Sequence, residues 1–178
     1  MPLTRRQFFK AGVAGAAALV AIRAVHGPFL RDEADSDSRF LFLRPAERGM
    51  LAAISPLILA GALPGDSAAG KSAIEALLLD IDRTLSGFDP NVQVEVRELF
   101  SLLLLPPARW LLAGVHAPWS EADAAEIAAF LEDWRLSRWE LLRSAYQALH
   151  SVILAAWYAQ PAAWPAMGYA GPPQLRQP

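Results

Sequence analysis

The chain contains no cysteine. That excludes a disulfide framework, thiolate zinc sites, iron–sulfur ligation and covalent c-type haem attachment on these 178 residues. Stability must come from a packed core. Histidine is nearly as scarce: only His26, His116 and His150 occur. They stand far apart, and none has a second histidine or a carboxylate three or four residues on, so no converging set of metal ligands is advertised. His150 sits among apolar helix residues, where packing is a commoner role than haem ligation. Basic charge is thin beyond the first 26 residues. Arg5, Arg6, Lys10 and Arg23 fall in that segment with no acid, and without them 12 bases face 18 acids, a balance near −6. Such a body offers no footprint for a phosphate backbone, and no nucleic-acid partner is expected. A long apolar run is also missing. The longest near the N-terminus, Ala11 to Ile22, falls well short of the roughly 20 residues a membrane-crossing helix needs.

What is present is a divided leader. Thr4-Arg5-Arg6-Gln7-Phe8-Phe9-Lys10 matches the twin-arginine pattern Ser/Thr-Arg-Arg-x-Phe-Leu-Lys, with Phe9 in the Leu place. The moderately hydrophobic Ala- and Gly-rich run then follows. Arg5, Arg6, Phe8, Phe9 and Lys10 are read as an export signal for the Tat translocase. Residues 1–26 form the signal segment, and the expected destination is the periplasm. Near Ala24 the small-x-small cleavage pattern is poor, which leaves open an uncleaved leader and membrane association through it.

Hydrophobic residues make up 54% of the chain, above the roughly 45–50% of soluble domains. Much of the excess lies in helix-periodic runs, predicting an all-α single domain of about five helices. A polar linker occupies 27–43, the helical domain 44–160, and a Pro-rich tail 161–178. The first helix spans about Arg44–Ala60, with Pro45 in its first turn, an apolar stripe of Met50, Leu51, Ile54, Leu57 and Ile58, and a kink at Pro56. The second spans about Ser72–Leu85, with Ile74, Leu77, Leu78, Ile81 and Leu85 on one face. Asp89-Pro90 reads as N-cap and first residue of the third. Its Val92, Val94 and Val96 alternate like a strand, but Glu95, Arg97, Glu98 and the Leu run favour a helix that Pro106-Pro107 breaks. Ser120 as N-cap opens a segment to about 135, and another runs 138–159. The tail is expected as an irregular strap.

Candidate chemistry is sparse. Gly65-Asp66-Ser67-Ala68-Ala69-Gly70-Lys71-Ser72 fits the P-loop pattern, yet a helix precedes it and Leu77–Asp80, the Walker-B-like piece, follows inside the same helix. An interhelical loop is the expected reading. Glu121, Asp123, Glu126, Glu132 and Asp133 are expected on a solvated helix face, and no nucleophile elbow is present. No catalytic, cofactor-binding or metal-binding residue is assigned. Six tryptophans are the unusual feature. Of these, Trp157 and Trp164, with Tyr158 and Tyr169, cluster beside the tail and are the candidate partner interface, weighed evenly against a core role.

Three motifs occur in order: Leu43-Arg44-Pro45-Ala46-Glu47-Arg48; Pro64-Gly65 with Ile81-Asp82-Arg83; and the closing Trp164, Gly168, Tyr169, Gly171, Pro172, Pro173. With the leader, this order resembles the small (gamma) subunit of gluconate 2-dehydrogenase and related FAD-dependent dehydrogenases. One departure is Ser55-Pro56-Leu57, where such subunits often carry an Asp. The resemblance implies an accessory subunit without a cofactor of its own and not itself an enzyme. FAD would sit on a large partner of the glucose-methanol-choline type, often joined by a multihaem cytochrome c, and the leader would export the pair. The leading expectation is therefore an escort subunit that exposes an apolar patch. The alternative is a free-standing periplasmic module that encloses an apolar ligand in a cavity of roughly 300 Å³ or more.

Overall fold

Helix periodicity carries through into a computed structural model, which describes residues 37–64, 68–164 and 168–171. These residues are all-helical, with no strand among them. Helix α1 is Pro45–Ile58, α2 is Ala68–Ser86 and α3 is Pro90–Leu104. A single turn, α4, follows at Pro106–Ala108 and continues as a π-helical turn, Arg109–Ala113. Helix α5 is Ala124–Arg135 and α6 is Glu140–Ala159, after which Pro161–Ala163 forms a 3-10 turn.

Local chemistry accounts for most boundaries. Pro45 occupies the first turn of α1, where its missing N–H costs nothing. Asp89 caps α3 by accepting from the Asn91 amide at 2.9 Å, with Pro90 as first residue. Helix α2 begins before the expected Ser72 and takes in Ala68 to Lys71. The N-cap of α5 is Asp123, which accepts from the Ala125 amide at 2.7 Å, rather than Ser120. Ser120 and Glu121 lie in a turn instead. Valines 92, 94 and 96 lie in α3, with Val92 and Val94 exposed.

Helix α1 is the hub, packing against α2, α3, α5 and α6. Its Met50, Leu51 and Ile54 are fully buried, while Leu57 and Ile58 are only half-buried. Helix α2 lies along α6 and contributes Leu77, Leu78, Ile81 and Leu85, and α6 adds Leu149, Ile153 and Trp157. A ladder of rings fills the other side. Trp119 meets Phe130 at 5.7 Å between centroids, and Phe130 meets Trp134 at 4.8 Å, both edge-to-face. The two indole N–H groups are satisfied: Trp119 Nε1 donates to the Leu103 carbonyl and Trp134 Nε1 to that of Leu112. None of the described helices is long and apolar enough to cross a membrane.

Candidate functional site

Two buried carboxylates organise the entry to α1, and both come from the motifs singled out in the sequence. Asp82 of α2 is 1% exposed and accepts three consecutive backbone amides: Leu41 and Phe42 at 2.9 and 2.8 Å, and Leu43 at 2.6 Å. Glu47 of α1 accepts from the Arg44 amide at 2.8 Å, which closes the first turn. Its oxygens also receive Arg97 Nη1 of α3 at 3.1 and 3.2 Å, and Arg97 Nη2 donates to the Phe42 carbonyl at 2.7 Å. The Arg97 guanidinium lies 4.1 Å over the Phe42 ring, and that of Arg48 lies 4.2 Å over Phe40. Phe40 to Arg44 is thereby locked onto three helices. The carboxylates are used up by amides and a guanidinium, so this is a clamp rather than a pair of groups free for acid–base work.

The P-loop-like motif takes no phosphate-cradling form among the described residues. Gly70, Lys71 and Ser72 lie inside α2, the preceding element is α1 rather than a strand, and residues 65–67 fall outside the described set. The Walker-B-like Leu77 and Leu78 are core residues of the same helix, and Asp80 pairs with Arg83 at 2.7 Å. His116 is exposed, with Nδ1 3.5 Å from a Glu126 oxygen, and His150 is half-buried beside the Tyr146 ring. No group of potential metal ligands gathers among the described residues. Glu121, Asp123, Glu132 and Asp133 are solvated, and Glu126 is half-exposed. Arg5, Arg6, Phe8, Phe9, Lys10 and His26 lie outside the described residues.

One depression, of about 490 Å³, is open and is lined by Pro56, Leu59, Leu63, Ile74 and Lys71. Another lies between α1, α3 and α6 and holds about 10 Å³, room for one water molecule at most.

The candidate interface residues separate. Trp157 is 5% exposed and belongs to the core, whereas Tyr158 and Tyr169 are exposed and Trp164 is half-buried. Trp164 organises the tail. Its Nε1 donates to the Tyr158 carbonyl at 3.0 Å, its own carbonyl accepts the Tyr169 amide at 3.0 Å, and its ring meets Tyr169 edge-to-face at 5.3 Å. Gly171 adopts a left-handed φ of +93°, and a Cβ there would lie 2.9 Å from Trp164 Cζ3. The described part of the closing motif, Trp164, Gly168, Tyr169 and Gly171, therefore forms a folded staple on the end of α6.

A second apolar surface escaped the sequence reading. Trp110 and Leu111 of the π-helical turn are exposed, as are Leu136, Trp139 and Leu141 around the α5–α6 junction. The bond from Trp134 to Leu112 ties the C-terminal end of α5 to that turn. The available signal was the apolar run after Pro106-Pro107, Trp110 to Ala113, whose one charged neighbour, Arg109, is buried and so marks no outer face.

Fold and geometry together define an all-helical domain with a buried carboxylate clamp and exposed aromatic residues toward both ends of α6. No protein-family model, curated protein or solved structure matches this chain.

Proposed function

We propose that this chain is a non-catalytic accessory subunit and Tat export escort of a periplasmic FAD-dependent dehydrogenase of the glucose-methanol-choline type. The observation that carries the reading is the pairing of a twin-arginine leader with a helical body that leaves Leu41, Trp110, Leu111, Leu136, Trp139 and Leu141 each more than half exposed. Large apolar side chains left in solvent are area that a partner surface could cover. The ordered motifs add support, because they lie at structurally distinct places: the clamp at Glu47 and Asp82, and the staple at Trp164. In this reading the flavin and its hydride chemistry belong to the large subunit, a multihaem cytochrome c is a further partner, and Arg5-Arg6 address the assembled pair to the translocase. The work of this chain is binding. A module enclosing an apolar ligand would want a closed cavity, and neither the open depression at Pro56 nor the 10 Å³ one between α1, α3 and α6 is such a cavity.

The test is to recover the C-terminally tagged chain from periplasm and scan the material for flavin absorbance. A stoichiometric yellow partner is expected, and both proteins should vanish from the periplasm when Arg5→Lys and Arg6→Lys are combined. A lone colourless chain overturns the reading.

A further inference from the structure

The strap ahead of α1 is held to the body by side chains rather than by backbone pairing. The amides of Leu41, Phe42 and Leu43 all donate to the Asp82 carboxylate, at 2.9, 2.8 and 2.6 Å. In the other direction, the Phe42 carbonyl accepts from Arg97 Nη2 at 2.7 Å, and the same guanidinium lies 4.1 Å over the Phe42 ring. Asp82 stands on α2 and Arg97 on α3, so the grip needs both helices docked on α1.

Such a hold is concentrated in one group. Removing a single carboxylate strips three consecutive amides of their acceptor at once. Apolar burial adds two full anchors, Phe42 and Leu43, whereas Leu41 beside them is 81% exposed. The ion pair from Arg39 to Glu75, at 2.8 Å, lies in solvent and adds little. The helices depend on none of these bonds. Each carries its own i to i−4 ladder, and Met50, Leu51 and Ile54 of α1 are fully buried in a core shared with α2, α5 and α6. A segment with few buried contacts, tied on outside any ladder, opens at lower free energy than the core beneath it.

We propose that residues 40–43 form a latch, with Asp82 as its holding point, which opens as one unit while α1, α2, α3, α5 and α6 stay folded. Burial of Phe42 and Leu43 keeps it closed most of the time. Opening frees the backbone ahead of α1 and bares a seat that reads main chain rather than side chains. In that seat Asp82 takes amide donors and Arg97 gives to a carbonyl. The latch is a property of this chain by itself and does not rest on the escort reading.

Native-state hydrogen exchange on the full chain, followed amide by amide in low urea, is the test. In the wild-type protein, the amides of Leu41, Phe42 and Leu43 should exchange together. They should do so about tenfold or more faster than those of Ile54 and Ile153, and with a shallower dependence on urea. Exchange in step with Ile54 and Ile153, at the same rate and urea slope, means that strap and core open as one and overturns the latch. In Asp82→Ala, the three strap amides should lose about a hundredfold in protection. Helical circular dichroism should be kept, and the Ile153 amide should remain the slower exchanger. Strap amides that stay protected in the folded variant overturn Asp82 as the holding point. A variant that loses its helices shows that they depend on the strap, which overturns its independent opening.

Discussion

Asp82 illustrates how a single buried charge organises backbone. Amides 41 to 43 precede a helix and have no intrahelical acceptors, and one carboxylate satisfies all three. Asp82→Asn keeps the shape but removes the charge and turns one acceptor into a donor facing amides. Destabilisation of about 3 kcal/mol is expected by urea unfolding. Ser55 presents the opposite case. Its hydroxyl is buried in α1 without a hydrogen-bond partner, so Ser55→Ala should be neutral or stabilising by about 1 kcal/mol in the same assay. Asp37 supplies a pH dependence. The side-chain hydrogen bond from Arg39, 2.8 Å away, lowers its pKa from 3.8 to about 2. A depressed folded-state pKa gives stability that is present above 3.8 and lost as pH falls toward 2. Because the pair is exposed, its effect on unfolding is expected to be small and erased by salt. NMR titration of the Asp37 carboxyl should show the shift directly.

At the scale of elements, the tail staple depends on one close approach. Gly171 combines a φ forbidden to most side chains with a Trp164 ring where a Cβ would sit. Gly171→Ala should release Trp164 and Tyr169, seen as a change in near-ultraviolet circular dichroism. The main unfolding transition should hardly move, because the staple lies at the end of α6 rather than within the α1 core. The same scale shows where local signals sufficed. Asp89-Pro90 states its own helix start, and the stripes of α1 and α2 state their buried faces, since caps and 3.6-residue periodicity are written within one segment. The start of α5 was misplaced because Ser120 and Asp123 are both competent caps. Trp119, buried with its indole bound to Leu103, holds Ser120 in the preceding turn and leaves Asp123 to cap.

For the whole molecule, the exposed apolar residues toward both ends of α6 set the solution behaviour. The isolated chain is expected to self-associate and to enhance the fluorescence of an apolar dye. Leu111→Asp combined with Leu141→Asp should reduce both effects without unfolding the protein, as read by sedimentation and dye titration. A monodisperse wild-type chain that leaves the dye dark would show that these side chains form no sticky surface.

The all-helical class and the approximate spans of the main helices were legible in the sequence alone. These follow from composition, caps and periodicity, which act over a few neighbouring residues. Only the tertiary structure decided which polar groups form the clamp, since Glu47 meets Arg97 and Asp82 meets Phe42 across 50 and 40 residues of chain. It also decided that Trp157 is core while Tyr158 beside it is exposed, and that Trp110 and Leu111 face outward beside an unpaired Arg109. Burial and ion pairing are relations between distant segments, and no local pattern encodes which face of a helix a remote element will cover.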